Sequence, residues 1–325
     1  MVSVAIPVRD GGESFVEMLD AVLAQRVDRE LEVVVADSGS TDGTREEARR
    51  RGARVIDVPP GEFSHGGTRN LLMERSRGEH VAFLTDDATP ASETWLAELL
   101  AGFDDADGVG LVYGPYLPRP QHSAWVRREL REFFGGLAGP GGEPRVDRGP
   151  LRAGDVRPGP VTFYTDANGC VSRRAWERAP YRPVTYAEDH LLALDMLRAG
   201  FAKVFRPQAA VWHSHDYPPR EYFGRFFDEF RALREVYGHV EELGVRFTLG
   251  TIRVQVRRDR AFMAAEGSSG WELDRATLGS LRFHASRAAG AVLGSRADRL
   301  PAALRRHLSR EGRPGFDPVP PPSGV

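Results

Sequence analysis

Short apolar runs separated by polar segments make up the first third of the chain. Five of these runs have the length of buried β-strands, namely VSVAIPV, LEVVVA, ARVIDV, HVAFL and GVGLVY. The segment after the first run repeats apolar residues at helical spacing, at Phe15, Met18, Leu19, Val22 and Leu23. Alternating strands and helices predict an α/β fold with a mostly parallel sheet and helices on both faces. The polar loops should then meet at one edge of the sheet, where such folds bind ligands.

The segment FLTDDATP carries two adjacent acids, Asp86 and Asp87, directly after the run HVAFL. Two carboxylates side by side repel each other unless a cation or a shared proton relieves the repulsion. One interpretation of the pair is a capping turn before a helix that begins at Ser92. The other is a site for a divalent cation, which binds carboxylate oxygens and can hold a phosphorylated ligand.

Regular alternation of strands and helices stops after GVGLVY. Residues 114–160 hold much of the Pro and Gly around one amphipathic helix, from about Ser123 to Phe134. We expect this region to be a flexible loop or a lid over the ligand edge. Strand and helix patterns resume afterwards and complete a first domain over residues 1–216.

Helical patterns dominate from residue 217 onward. We expect a C-terminal helical region over residues 217–312 and a Pro-rich, disordered tail over residues 313–325. An aromatic stripe in the first of these helices predicts either core or a subunit interface, and an interface would make the protein a homo-oligomer. Residues 281–310 carry seven arginines against one aspartate. They form either a solvated helical face or a peripheral contact with an anionic membrane surface.

The overall composition is that of an ordinary globular protein, with 41% hydrophobic and 28% charged residues and a formal net charge of −2. The balanced charge argues against a nucleic-acid partner, because nucleic-acid-binding domains are typically strongly basic. Cys170 is the single cysteine, which excludes an internal disulfide and a cysteine-based zinc cluster. The sequence shows neither a secretion-signal pattern nor a run long enough to span a membrane. We therefore expect a cytoplasmic protein, either free or peripheral at the inner face of the membrane.

Six polar segments follow one another in a recognisable order: IPVRDGG, VVVADSGSTDGT, FSHGGTRN, FLTDDA, AEDH and AAVWHSHDY. Together they resemble the family-two inverting glycosyltransferases, which have the GT-A fold. The segments FSHGGTRN, LTDDA and HSHDY are most similar to the bacterial rhamnosyltransferase branch of that family. The resemblance covers about residues 2–240 and implies a GT-A, Rossmann-like domain, followed by a C-terminal helical extension.

The resemblance also implies which residues hold the nucleotide sugar. They are Pro7, Arg9, Asp37, Ser38, Gly67, Arg69, Asp86 and Asn168. Among them, Asp37 corresponds to the acid that binds the nucleotide base, and Arg69 to a position near the diphosphate, which a guanidinium can bridge. Thr85 stands where the family's Asp-x-Asp motif has its first acid. This departure leaves the ribose contact to Asp86.

The metal ligands that the resemblance implies are Asp87 and His213, with His215 as a second histidine candidate. The two histidines lie two residues apart on an extended segment, so their side chains should point to the same face. The metal would be Mg²⁺ or Mn²⁺. Asp189 corresponds to the catalytic base, with Glu188 beside it as the alternative. A neighbouring like charge should raise the pKa of one of these two acids, which makes it a better base.

The function implied is the transfer of a sugar, with rhamnose suggested by the branch, from a nucleoside-diphosphate donor to a hydroxyl group. The donor nucleotide can be dTDP, UDP or GDP, and the acceptor a glycan, a lipid-linked glycan or a small molecule. Two other functions stay open. A nucleotidyltransferase uses a similar sheet and metal, but usually needs a glycine-rich basic loop near its N-terminus, where IPVRDGG offers one arginine. A non-catalytic nucleotide- or carbohydrate-binding module has no use for a positioned base.

Overall fold

The centre of the protein is a mixed β-sheet. The computed structural model describes residues 1–59, 61–152, 156–242 and 244–320. Its strands are β1 (Val2–Val8), β2 (Leu31–Asp37), β3 (Arg54–Asp57), β4 (His80–Leu84), β5 (Thr89–Pro90), β6 (Val109–Tyr113), β7 (Tyr116–Leu117), β8 (Arg145–Arg148), β9 (Asn168–Ser172), β10 (Ala202–Phe205) and β11 (Val211–Trp212). Its helices are α1 (Gly12–Leu23), α2 (Thr44–Arg50), α3 (His65–Arg75), α4 (Trp95–Ala101), α5 (Ala124–Gly135), α6 (Arg173–Arg178), α7 (Glu188–Arg198), α8 (Pro219–Tyr237), α9 (Val245–Ala265), α10 (Gly270–Gly294) and α11 (Ala302–Leu308).

Eight strands form the main sheet in the order β3-β2-β1-β4-β9-β6-β10-β8. Neighbouring strands are parallel except at β9 and β8, which run antiparallel to their neighbours. The predicted α/β fold with a mostly parallel sheet is confirmed. Because β9 is reversed, its first residues lie at the edge where β4 and β6 end. A second sheet, in the order β5-β11-β7, adjoins this edge.

The core lies on both faces of the main sheet. In β1, Val4 and Ile6 pack with α1 on one face, and Ala5 packs with α3 on the other. This alternation follows from the two-residue repeat of a strand. The predicted apolar face of α1 is buried at four of its five positions. Leu23, the fifth, is 42% exposed, because it lies beside the buried stripe at the helix end.

Residues 114–160 contain more regular structure than the sequence indicates. Helix α5 confirms the predicted amphipathic helix, but β7 and β8 were not anticipated. Strand β8 has the sequence RVDR and pairs with β10. Its Asp147 forms an ion pair with Lys203 of β10. Because three of its four residues are charged, the strand lacks the apolar alternation by which a strand is recognised in a sequence. The flexible loop or lid expected for this region stays a prediction.

The C-terminal helices pack closely against one another. Gly290 and Gly294 of α10 lie against the backbone of α8, so that a Cβ at Gly294 would approach the carbonyl oxygen of Phe227 to 2.3 Å. Glycine is therefore required there. Beyond α11, residues up to 320 lie along the protein, and the N–H of Val319 donates to the carbonyl of Glu235. The rest of the expected tail, residues 321–325, lies outside the described part. In the described residues, no helix is both long and apolar enough to cross a membrane.

Candidate active site

Two histidines and an aspartate form what we call the metal cluster: Asp87, His213 and His215. The antiparallel pairing of β5 with β11 sets Trp212 opposite Thr89, which brings the segment after β11 next to the loop after β4. Nδ1 of His213 lies 3.3 Å from one carboxylate oxygen of Asp87, and Nε2 of His215 lies 3.5 Å from the other. The structure therefore brings all three predicted metal ligands together, and both histidines face the same side.

The donor set of the metal cluster suits a divalent cation. One potential ligand atom of each residue lies within 4.8 Å of the other two. Nδ1 of His213 is buried and has no hydrogen-bond partner in the described part of the chain. A bound cation would satisfy such an atom. Burial opposes ionisation of Asp87, but the contacts from His213 and His215 and the hydroxyl of Thr85 outweigh it and hold the pKa of Asp87 well below its usual range.

Three acids around one arginine form what we call the carboxylate cluster: Asp166, Glu188 and Asp189, with Arg69. Nη1 of Arg69 donates to Glu188 at 2.8 Å, and Nε lies 3.0 Å from Asp166. Arg69 and Asp166 are almost fully buried. Asp189 is half-buried and forms no ion pair with the described residues, and its Oδ1 accepts the N–H of His190 at 2.8 Å. Asp189 is therefore the acid of the cluster with the least committed carboxylate.

One guanidinium cannot neutralise three carboxylates, and the pKa values of the cluster reflect this. Burial, reinforced by Glu188, raises the pKa of Asp189 to about 7, although Arg69 opposes the rise. Burial also raises the pKa of Asp166, to about 8, again against Arg69. The rise predicted from the adjacent acids at 188 and 189 is confirmed, with burial as its larger cause. The cluster therefore shares at least one proton near neutral pH.

The start of α7 sets the direction of its two acids. Ala187 precedes the helix with φ at 59°, in the left-handed region that non-glycine residues rarely adopt. Glu188 and Asp189 occupy the first turn of α7, where the helix dipole favours negative charge. The strained residue turns the chain so that Glu188 points inward to Arg69 and Asp189 stays accessible.

Tyr116 connects the two clusters. Its ring packs edge-on against the imidazole of His213, with ring centroids 4.7 Å apart. Its hydroxyl is hydrogen-bonded to the hydroxyl of Thr165, the residue before Asp166. The metal cluster and the carboxylate cluster are thus parts of one site, on either side of a single tyrosine.

Asp37 lies at the carboxyl end of β2 and is fully buried. Its Oδ1 accepts the N–H groups of Gly39 and Ser40 at 3.1 Å and one N–H of Arg45 at 2.7 Å. Its Oδ2 is buried without a hydrogen-bond partner in the described residues. Although burial opposes it, these donors lower the pKa of Asp37. The unpaired oxygen is an acceptor that a ligand N–H could fill.

The residues predicted to lie beside Asp37 are brought to it by the sheet. Pro7 pairs with Ala36 across β1 and β2, and the hydroxyl of Ser38 donates to the carbonyl of Val8 at 3.0 Å. Arg9 is exposed, and its Nε lies 3.8 Å from a carboxylate oxygen of Asp10. Pro7 and Ser38 therefore lie beside Asp37, and Arg9 follows on the exposed loop after β1.

The other predicted donor-binding residues lie in different surroundings. Gly67 begins α3, and its N–H donates to the capping hydroxyl of Ser64. Asp86 is half-buried, and burial with the charge of Asp87 raises its pKa to about 6. The predicted diphosphate contact, Arg69, already holds two carboxylates.

Asn168 lies deeper in the protein than the other predicted donor-binding residues of this group. It was expected to contact the donor sugar, but it is fully buried at the start of β9. Its side-chain oxygen accepts the indole N–H of Trp95 at 2.8 Å, and its amide N–H groups donate to the carbonyls of Pro115 and Ala209. Both amide N–H groups and one lone pair of the oxygen are used inside the protein, so Asn168 joins chain segments, and its contact with the donor sugar stays a prediction.

A cavity of about 710 Å³ opens beside the metal cluster and Tyr116. The metal-cluster histidines line one side of it, and α5, α8, α9 and α10 line the others. Arg225 of α8 faces this cavity and forms no ion pair or hydrogen bond with the described residues. Sequence reasoning missed Arg225, Tyr116 and Asp166, because each is an isolated residue whose role depends on the packing of distant segments.

Comparison with known proteins adds the following. The family model described as Glycosyl transferase family 2 matches residues 3–176. The O-antigen chain rhamnosyltransferase WbaN of Salmonella anatum is 30% identical over 232 residues, which cover 68% of this chain and 70% of that protein. The O-antigen chain rhamnosyltransferase RfbN of Salmonella typhimurium is 26% identical over 262 residues, covering 78% of this chain and 80% of that protein.

Among solved structures, the mannosyltransferase PcManGT from Pyrobaculum calidifontis, in complex with GDP-Man and Mn²⁺, superposes with a TM-score of 0.58 at 19% identity. The likeness covers 90% of this chain and 86% of that one, and it confirms the predicted GT-A fold. The family match ends before α7, so Asp189 and the histidines of the metal cluster lie outside it.

Proposed function

This chain belongs to glycosyl transferase family 2, and we propose that it is a metal-dependent, inverting rhamnosyltransferase that uses a nucleoside-diphosphate donor. One observation carries the proposal: an Asp-His-His cluster and a cluster of acids with raised pKa values lie on two sides of Tyr116. The first can hold the leaving diphosphate through a cation, and the second can accept a proton. An inverting transfer needs both functions at one site.

The nucleotide would bind beside Asp37, at the carboxyl end of β2. Its unpaired Oδ2 can accept a ring N–H, which thymine, uracil and guanine all offer. Pro7, Arg9 and Ser38 would border the bound nucleotide. The relatives WbaN and RfbN, named as rhamnosyltransferases, favour a rhamnosyl donor. We leave the nucleotide as dTDP, UDP or GDP, because one carboxylate acceptor does not distinguish among these bases.

The cation would be held by Asp87, His213 and His215. When bound, it would neutralise negative charge on the diphosphate that leaves. Two imidazoles beside one carboxylate favour Mn²⁺ over Mg²⁺, since Mg²⁺ prefers oxygen ligands. Asp86, next to this cluster, is the proposed ribose contact. Gly67, at the start of α3, stays a proposed donor contact.

We propose Arg225, rather than Arg69, as the cationic side chain that reaches the diphosphate. Arg69 is almost fully buried and forms ion pairs with Glu188 and Asp166. Arg225 has no such partner, and it lines the same cavity as His213 and His215. A guanidinium suits phosphate oxygens because it donates two parallel N–H bonds.

Asp189 would act as the base. Its half-buried carboxylate takes the proton of the acceptor hydroxyl as that oxygen attacks the anomeric carbon from the face opposite the diphosphate. The pKa of about 7 suits a base that works near neutral pH. Glu188, held by Arg69, would keep the charge balance of the cluster. The acceptor would enter through the cavity, as a glycan, a lipid-linked glycan or a small molecule.

The test is release of free nucleoside diphosphate from dTDP-rhamnose, UDP-sugar or GDP-sugar by the purified protein with Mn²⁺. We expect slow release with one of the donors, and loss of that release when EDTA removes the metal. Recovery on adding back Mn²⁺ controls for damage by the chelator. Release of pyrophosphate, or of no product from any donor in the presence of hydroxyl acceptors, would contradict the proposal.

A further inference from the structure

Helix α9 presents an unusual outer face. Exposed apolar side chains occur along it, at Val245, Phe247, Leu249 and Val254, with exposed fractions from 52% to 77%. The helix also carries five arginines, and Asp259 is its single acid. Such a combination of exposed apolar and basic side chains is typical of helices that lie on membrane surfaces.

The arginines at the centre of this face have no internal partners. Arg253 and Arg257 lie about two and about three turns after Arg246, so the three side chains form one stripe. None of the three forms an ion pair or a hydrogen bond with any described residue, and all are exposed. Leu249 lies on one side of the stripe, and Phe247 and Val254 lie on the other. We call this surface, with Val245, the α9 face.

Contacts on the buried side of α9 fix the rotation of the helix, and so keep the α9 face towards solvent. Asp259 is fully buried and accepts Nε of Arg128 in α5 at 2.5 Å. Its other oxygen accepts from Ser280 at 2.6 Å and lies 2.7 Å from Nε2 of His284, both in α10. A buried carboxylate with three partners is costly to displace. The α9 face is therefore held outward by the fold.

The basic segment predicted as a membrane contact, residues 281–310, is less suited to that role. Several of its arginines are used inside the protein: Arg287 pairs with Glu129, Arg296 donates to the carbonyl of Glu241, and Arg305 donates to three carbonyls. Its exposed arginines without an ion pair to the described residues are Arg282, Arg299 and Arg306, and they are spread over two helices and a turn. They do not form a stripe with apolar neighbours.

We propose that the α9 face docks onto an anionic lipid bilayer, with Arg246, Arg253 and Arg257 on lipid phosphates and the flanking apolar side chains in the headgroup boundary. Charge complementarity selects this occupant. A second copy of the chain, packed through the same face, would set the arginine stripes against each other. Gln255 and Arg258 of α9 also line the cavity beside the metal cluster. Docking through the α9 face would therefore bring that cavity close to the bilayer.

Vesicle flotation tests the proposal without relying on the proposed function. We expect the wild type to float with vesicles that mix phosphatidylglycerol into phosphatidylcholine, and not with phosphatidylcholine alone. The triple variant Arg246→Gln, Arg253→Gln, Arg257→Gln should lower the partition coefficient by on the order of a hundredfold, since each arginine near an anionic surface contributes about a fivefold change. All three side chains are exposed, so the fold should be retained.

The matched control is Arg282→Gln, Arg299→Gln, Arg306→Gln, which removes the same charge from residues 281–310. We expect it to float like the wild type. A second variant, Phe247→Ser with Leu249→Ser, keeps the arginines and should weaken flotation even at low salt. Thermal stabilisation by nucleotide and Mn²⁺ is measured on the same samples. A protein that floats but shows no such stabilisation would contradict the transferase proposal and leave the docking proposal intact.

Three results would overturn the docking proposal. They are equal loss of flotation in the two triple variants, equal flotation of the wild type with neutral and anionic vesicles, and no flotation at all. Wild-type binding to polyglutamate but not to anionic vesicles would likewise reject the bilayer in favour of an acidic protein partner.

Discussion

The metal cluster and the carboxylate cluster both hold acids at one sheet edge, yet they shift the pKa values of those acids in opposite directions. In the metal cluster, two histidines and a hydroxyl hold the pKa of Asp87 well below its usual range. In the carboxylate cluster, burial and neighbouring acids raise the pKa of Asp189 to about 7. The difference shows that local partners, rather than residue type, decide whether an aspartate is a permanent anion or a proton acceptor.

The largest expected effect comes from removing the proton acceptor. Asp189→Asn keeps the shape of the side chain but not its basicity, so kcat should fall by about 10²- to 10⁴-fold. Steady-state transfer assays measure kcat, and calorimetric titration of the nucleotide shows whether the donor site is intact. Turnover close to wild type with the asparagine in place would transfer the role of base to another group.

Removing the cation of the carboxylate cluster should cost stability. Arg69→Met leaves Glu188 and Asp166 buried without their partner, and loss of one member of a buried ion pair costs about 3–5 kcal/mol. Urea unfolding measures the change in the free energy of unfolding. Arg29→Met, at an exposed arginine, is the matched control and should change it by about 0.5 kcal/mol or less. Equal stability of the two variants would mean that the acids are neutral in the folded protein.

The metal cluster should control stabilisation by ligand. At about a hundred times its Kd, a nucleotide that needs the metal adds about 2.7 kcal/mol to the free energy of unfolding. We expect a rise in Tm of several degrees with nucleoside diphosphate and Mn²⁺ together. Asp87→Asn should abolish the part of the shift that depends on Mn²⁺, and Asp28→Asn, an exposed acid between α1 and β2, should not. A full shift in the Asp87 variant would separate metal binding from this cluster.

The smallest effect is the pH dependence of kcat/KM. A base must be deprotonated to act, and the pKa of Asp189 is raised to about 7, so activity should fall about tenfold per pH unit below that value. Glu188, Arg69, Asp166 and His190 surround the carboxylate. Because Arg69 lowers the pKa of Asp189, Arg69→Met should move the acid limb of the profile to higher pH. A limb that stays in place in this variant would assign it to another group.

Much of the fold and part of the site followed from the sequence because the signals were local. Strand β4 is indicated by an apolar run in the sequence. The metal cluster is indicated by an acid pair and two closely spaced histidines. Strand β8 was missed, because it has no apolar alternation, and its buried acid, Asp147, is paired with Lys203 of β10. No pattern of residues in the sequence reveals such pairing.

The carboxylate cluster was only half predictable. Glu188 and Asp189 are adjacent in sequence, but Asp166 joins them because β9 enters the sheet in reverse. The buried ion pairs of Arg69 depend on the same packing. For Asn168 the family resemblance implied a ligand contact, whereas its partners Trp95, Pro115 and Ala209 come from three distant segments. Residue type alone does not tell whether a buried amide is already satisfied.

The glycine contacts between α8 and α10 have a consequence for protein engineering. A side chain at Gly290 or Gly294 would strike the backbone of α8, the helix that also carries Arg225. The two helices must therefore be exchanged as a unit. A chimera that grafts the extension of a relative should join the chains before α8, because a junction between α8 and α10 would pair surfaces that were not shaped for each other.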